Sequence, residues 1–336
     1  MAWPLIKHLP DKTNFKFVGP AKIAAVFSIL AVIGSIFLTL TPMRPPCGGL
    51  NCGVDFKGGT VLELSTAPGP VDIGAVRGTL ERLNFGDVQV QAIGGAGGPA
   101  NTTEALVRFE TPAGQNPAQA VTRARGELVR ALGPTNFTRV EVVGPKVSGE
   151  LFRNGVTALL LAIVLMLLYI WFRFGLTFGV GAVVALFHDV ILTFGLFAVT
   201  GLEFTLTSVA ALLTIIGYSM NDTVVVLDRV RENLRKYKKM PFRDLIDLSV
   251  NETLSRTVVT GVTGIMALAV MAVFGREVGE LYTFSVAMIF GIIIGTYSSI
   301  FVAAPVLLLL GVKRGEVEKP AEGVTRAQAK TVLERP

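Results

Sequence analysis

Six stretches of this chain are each long and apolar enough to cross a bilayer, and nothing else in the sequence limits the fold so strongly. A hydrocarbon core about 30 Å thick needs about 20 apolar residues in a helix. Residues 23–40, 155–172, 174–202, 204–227, 257–275 and 281–312 meet that requirement. Inside lipid a backbone must satisfy its own hydrogen bonds, so such runs fold as helices. Four of the six carry no charged side chain; 174–202 is interrupted by His188 and Asp189, and 204–227 by Asp222 alone. The last run is longer than one straight span requires, and Pro305 is expected to kink or end it. Residues 1–22 precede the first run and no A-x-A site follows it, so it reads as a retained anchor rather than a cleaved signal peptide.

Orientation follows from Lys and Arg near the span ends. Lys7, Lys12, Lys16 and Lys22 precede the first span, and Arg173 lies in the tight link between the second and third. Arg229, Arg231, Arg235, Lys236, Lys238, Lys239 and Arg243 crowd the link between the fourth and fifth, and Lys313 and Arg314 follow the sixth. The other side holds Glu203, Arg276, Glu277 and Glu280. Both termini are therefore expected in the cytoplasm. The formal net charge of +6 is mostly this topology signal, which leaves little reason to invoke nucleic acid.

About 110 residues lie outside, between the first two spans. Strand-like runs at 60–66, 87–93, 104–111 and 137–143 alternate with helical runs at 71–83 and 117–132. Ile73, Val76, Leu80 and Leu83 share one helical face, and Pro117 stands near the start of the second helix. The order βαββαβ is that of the ferredoxin-like split motif. The loop "GGAGGPANTT" has no helix after it, so it is not a phosphate cradle. Cys47 and Cys52 lie on the outer side, where a disulfide can form; they either close a small loop or stand as free thiols. Two cysteines and two distant histidines do not make a zinc site, and no cofactor motif is present.

The intramembrane polar residues carry the functional question. A carboxylate at the centre of a spanning helix costs about 2.5–3.5 kcal/mol on insertion scales. Asp222 follows Asn221, with Tyr218 and Ser219 at i−4 and i−3 on its helical face as hydrogen-bonding candidates. The segment from Pro241 has no glycine or further proline until Gly261, so one helix should carry Arg256 into the fifth span. The midpoint of 222 and 256 is Lys239, in the turn "KYKKMP". In an antiparallel hairpin the two charges then lie level, each about 25 Å along its helix from the turn. Depth follows from this spacing; facing does not. Such a pair either fixes helix packing or serves as a proton or ion site. His188 and Asp189 form a second polar step, either hydrogen-bonded to neighbouring helices or part of a proton path with Asn221, Tyr218 and Ser219. Gly291 and Gly295 form a G-x-x-x-G packing stripe.

Several stretches resemble the SecF family of bacterial protein-export membrane proteins: "GVDFKGGT" at 53–60, with Gly53, Asp55, Gly58, Gly59 and Thr60, then "ALFHDV", "LTSVAALLTIIGYSMNDTVVVLDRVREN", "NETLSRT" and "IIGTYSSIFVAAP". The resemblance runs from about residue 12 to 312; the two cysteines and the tail after Arg314 fall outside it. It implies an RND-type half with six transmembrane helices and one periplasmic domain, in the bacterial inner membrane. It implies a SecD partner, association with the SecYEG channel and YajC, and use of the proton-motive force to promote preprotein translocation and release. Asp222 and Arg256 fall on the family's transmembrane acid and arginine.

The expected fold is thus an α-helical polytopic membrane protein with six transmembrane helices and one ferredoxin-like α+β periplasmic domain. Residues 1–22 form a cytoplasmic segment, 23–41 the first transmembrane helix, 42–150 the periplasmic domain, 151–312 a five-helix bundle, and 313–336 a disordered cytoplasmic tail. The alternative function is half of an RND-type proton-driven small-molecule exporter. An intramembrane enzyme is disfavoured, because no H-E-x-x-H and no Ser–His pair is evident. A passive scaffold would leave Asp222 and Arg256 as packing alone.

Overall fold

The computed structural model describes residues 13–42, 47–66, 69–85, 88–93, 103–109, 115–275 and 279–311. The sequence-predicted tail, the first twelve residues and most of the Gly-rich loop lie outside these. Five described helices are long and apolar enough to cross a membrane. They are α1 (Ala21–Leu40), α5 (Pro145–Thr200), α6 (Leu206–Lys236), α7 (Phe242–Phe274) and α8 (Gly279–Ser298), the last continued by a π turn (Ser299–Ala303) and α9 (Ala304–Leu309). The expected loop at Arg173 is instead a backbone break inside α5. Gly175 takes φ 72° and ψ −177°, a conformation that glycine reaches without steric penalty.

Pro305 does not end the last helix. It lacks an N–H to return to the carbonyl four residues back, and the wider π turn directly before it takes up the mismatch. The turn between α6 and α7 centres on Lys239, as the spacing of Asp222 and Arg256 requires. The chain before α1 lies along α7: Val18 donates its N–H to Asp247 (2.8 Å), and Phe15 exchanges hydrogen bonds with Asn251.

The domain beside the bundle, called outer after the orientation expected from the sequence, contains a short helix α2 (Val54–Lys57), then β1 (Gly59–Ser65), α3 (Ile73–Glu81), β2 (Val88–Ile93), β3 (Glu104–Phe109), α4 (Pro117–Leu132) and β4 (Asn136–Val143). All strand pairs are antiparallel, in the order β2-β3-β1-β4. Asp72 and Asn116 cap α3 and α4 through their side chains. Leu62 and Leu64 of β1 bury against Val76, Leu80, Ala124 and Leu128 of the two helices. Strand alternation sends Val61 and Glu63 to the opposite face, in register with Arg108 and Arg139. That polar face meets the bundle: Arg108 pairs with Glu203, and Arg139 pairs with Glu280 at 2.8 Å.

Candidate functional site

Two polar clusters lie within the bundle, and a third group of residues joins the bundle to the outer domain. The joint is the "GVDFKGGT" segment. Asp55 accepts a hydrogen bond from the Leu206 N–H at 2.9 Å, so it caps the first turn of α6 from outside that helix. Gly53 donates its N–H to the Phe204 carbonyl (3.0 Å), and Phe204 donates to Asn51 (2.8 Å). A Cβ at Gly53 would lie 2.6 Å from the Glu203 carboxylate and 2.7 Å from the Thr205 methyl, so a side chain there would have to displace both. Gly58 and Gly59 turn the chain into β1 at φ 73° and 114°. Thr60 is fully buried at the start of that strand. Phe56 packs against Phe204 and Phe152 beneath the joint. Cys47 and Cys52 are joined in a disulfide on the chain leading from α1 into this segment. Burial pushes the Glu203 carboxyl above its ordinary range, against the opposing pull of Arg108.

The first intramembrane cluster is at Asp222 on α6. The carboxyl is 4% exposed, and its Oδ2 accepts no hydrogen bond. Buried hydroxyls of Thr223 and Thr257, on α6 and α7, are likewise unpartnered. Arg256 lies on α7 within electrostatic reach of Asp222 but forms no salt bridge with it, and is itself exposed. Equal depth, inferred from the hairpin, therefore comes without a contact ion pair. Nor do Tyr218 and Ser219 serve Asp222. The Tyr218 hydroxyl donates to the Thr260 carbonyl of α7 at 2.7 Å, and Ser219 donates to Asp189. Helical periodicity places these residues on one stripe, but the acceptor opposite each is supplied by another helix. Asn221 is exposed and stands outside the cluster.

The second cluster centres on His188 and Asp189 of α5, which are 5% and 1% exposed. Asp189 Oδ1 meets His188 Nδ1 at 2.8 Å. Its Oδ2 accepts from Ser219 of α6 and, at 2.7 Å, from Ser298 of α8. His188 Nε2 lies 3.2 Å from Ser28 of α1, Ser28 lies 2.9 Å from the Tyr297 hydroxyl of α8, and Tyr297 donates to the Ala24 carbonyl of α1 at 3.0 Å. The π turn begins directly after Ser298. Gly295 makes the approach of α8 to α6 possible, since a Cβ there would be 2.8 Å from Ser219 Cβ. Ser28, Tyr297 and Ser298 are functional candidates that the sequence does not single out. A hydroxyl in an apolar run is unremarkable until a titratable partner is found across the interface. Among the described residues, no group of three or more His, Cys, Asp or Glu is gathered to hold a metal ion.

Comparison with known proteins places the whole chain. The family model described as protein export membrane protein SecD/SecF, C-terminal, matches residues 125–313. The protein translocase subunit SecF of Cereibacter sphaeroides is 43% identical over 326 residues, covering 96% of this chain and 97% of that one. Its counterpart from Rhodobacter capsulatus is 45% identical over 322 residues, covering 94% of each. Among solved structures, SecDF from Thermus thermophilus, described as a translocon-associated membrane protein, superposes with a TM-score of 0.76 at 33% identity over 92% of this chain. SecDF in a super-membrane-facing form superposes with a TM-score of 0.64 at 31% identity over the whole of it. This chain spans 39% and 41% of those two SecDF chains. With SecF relatives matched almost end to end and the family model covering the bundle that holds Asp222, Arg256, His188 and Asp189, the chain belongs to the SecF family of protein-export membrane proteins.

Proposed function

We propose that this chain is one half of a proton-driven export motor. A SecD-type partner supplies the matching half, and the pair uses the proton-motive force to promote preprotein translocation and release on the periplasmic side of the inner membrane. SecYEG is the channel served, YajC an associate, and the preprotein the cargo. The protein does work on a substrate without covalent chemistry, so it is not an enzyme. The observation that carries this reading is the state of Asp222: a buried carboxyl with an unbonded oxygen, within electrostatic reach of an arginine with which it forms no salt bridge.

That arrangement suits exchange better than anchoring. Protonation of Asp222 removes the charge that attracts Arg256, and deprotonation restores it, so the α6–α7 contact has two electrostatic states. A proton moving through the membrane field releases about 2.3 kcal/mol per 100 mV, enough to bias such a contact. The mechanical output leaves through the N-terminal end of α6, which Asp55 and the Arg108–Glu203 pair tie to the outer domain. Arg256 is exposed on the bundle, which leaves room for a second half to close the site.

The finer architecture follows the same reading. The break at Gly175 in the 56-residue α5 supports two spans there and six in all. The βαββαβ order with antiparallel strands β2-β3-β1-β4 supports a ferredoxin-like outer domain. Lys and Arg at the α6–α7 turn support cytoplasmic termini. The direct test is purification of the tagged chain from its native membrane. A SecD-like chain in equal amount is the expected result; recovery of this chain alone, or only with copies of itself, would overturn the half-unit reading.

A further inference from the structure

The hydrogen bonds around His188 fix a proton count. The Ala24 carbonyl can only accept, so the single proton of the Tyr297 hydroxyl is committed to it. Tyr297 Oη must then accept from Ser28, which commits the single proton of Ser28. His188 Nε2, in contact with Ser28 Oγ, must therefore donate. The contact at the other side of the ring, between Nδ1 and Asp189 Oδ1, needs a proton of its own. It sits on Nδ1, giving imidazolium and carboxylate, or on Oδ1, giving neutral imidazole and carboxylic acid. Ser298 shares its one proton between Asp189 Oδ2 at 2.7 Å and, as the longer branch, the Gly295 carbonyl of its own helix at 3.2 Å; with Ser219 donating as well, Oδ2 accepts two hydrogen bonds and the proton is not there. In either form the couple holds one proton more than a neutral imidazole beside a carboxylate.

We propose that His188 and Asp189 form a proton-binding site separate from Asp222, and that its occupancy fastens α1 to the rest of the bundle. When the proton leaves, His188 keeps one hydrogen, on Nδ1 toward Asp189, and Nε2 becomes an acceptor. Ser28 turns its proton to Nε2. Tyr297 is left with one proton for two contacts, so the hydrogen bond to Ser28 or that to Ala24 is lost. Both lie on α1, the helix whose outer end runs into the Cys47–Cys52 loop and the joint at Asp55. One proton in and one proton out thus changes the hold on the helix that leads to the outer domain.

The groups facing the couple are few. From α1 comes Ser28, in a run without charged side chains; from α6 comes Ser219, with Asp222 one turn beyond; from α8 come Ser298 and Tyr297. Arg256 of α7 acts on Asp222 across the hairpin. Of the groups in hydrogen-bond contact with the couple or its chain, only Tyr297 can titrate besides the couple itself.

The chain has two histidines, so His8→Gln leaves one imidazole to observe. The full-length protein, with its partner in lipid vesicles and with 15N-labelled histidine, would be studied by solid-state NMR near neutral pH. The expected result is a proton on Nε2, seen as a one-bond N–H coupling. A bare Nε2 with the proton on Nδ1 would overturn the proposal. Tyr297→Phe removes the acceptor that forces the count, so Nε2 should become bare; an unchanged Nε2–H in that variant would also overturn it. Asp222→Asn should leave Nε2 protonated, and loss of that proton would contradict the separation of the two sites. None of these readings depends on export, so they stand or fall apart from the role of Asp222.

Discussion

Asp189 and Asp222 are buried carboxyls in one bundle, yet they are treated in opposite ways. Asp189 meets donors from three helices and has both oxygens engaged. Asp222 has an oxygen with no donor, and its arginine stops short of contact. Ser219 stands one turn from Asp222 on α6 but gives its proton to Asp189. Burial alone therefore does not say how an acid is held. A saturated carboxyl is woven into helix packing, and its neighbours suffer if it is removed. An unsaturated one is held in place by the surrounding helices and leaves few groups orphaned when it changes.

The contrast is sharpest in stability. Asp189→Ala strands His188 and Ser219 in the core, while Ser298 keeps its contact with the Gly295 carbonyl, and a loss of roughly 3–5 kcal/mol is expected. Asp222→Asn should change stability by no more than about 1 kcal/mol, since no hydrogen bond at Oδ2 is broken. Denaturant unfolding of both variants in detergent, with intact complex as the starting state, measures the difference. Equal losses would remove the distinction.

A smaller effect is expected at the joint. Asp55→Ala should cost about 1 kcal/mol as a lost helix cap, felt at the first turn of α6. Hydrogen exchange at the Leu206 to Val209 amides should quicken by roughly fivefold if local opening carries that cost. Exchange that quickens throughout α6, including around Asp222, would mean that the cap governs the whole helix.

The smallest effect belongs to the sheet. Burial, with Glu104 adding to it and Arg139 opposing, pushes the Glu63 carboxyl above its ordinary range. A folded-state pKa above the unfolded one means that the charge weakens the fold above that pKa and has no effect below the ordinary carboxylate range. Glu63→Gln should therefore raise the unfolding temperature at pH 8, with the gain vanishing as pH falls to about 4. A gain that persists unchanged in acid would point to packing instead.

What the sequence made legible follows from range. Apolar run length marks the membrane-crossing helices, and alternation marks every strand of the outer domain within a residue or two, because both signals are local. Equal spacing about Lys239 gives the common depth of Asp222 and Arg256, because a tight hairpin fixes depth. Facing was not legible: the hydrogen bonds that decide what Ser219 and His188 do join residues 30 and 160 positions apart, and that of Ser298 spans 109. The turn at Gly175 was misplaced by two residues, to Arg173, because charge marks a membrane boundary and not the residue whose backbone bends. Helix α2 is four residues long, shorter than any periodicity can register.

The account rests most heavily on Asp222 exchanging a proton against Arg256. The measurement that tests it is preprotein export into inverted inner-membrane vesicles, with and without an imposed proton gradient. The wild-type complex would be compared with Asp222→Asn, Arg256→Gln and the double variant, each assembled with its partner. The account predicts that all three lose the gradient-dependent stimulation, by tenfold or more, which corresponds to about 1.4 kcal/mol or more of lost coupling, while ATP-driven export continues. A neutral double variant that assembles and keeps the full stimulation would contradict it, and would leave the pair as helix packing.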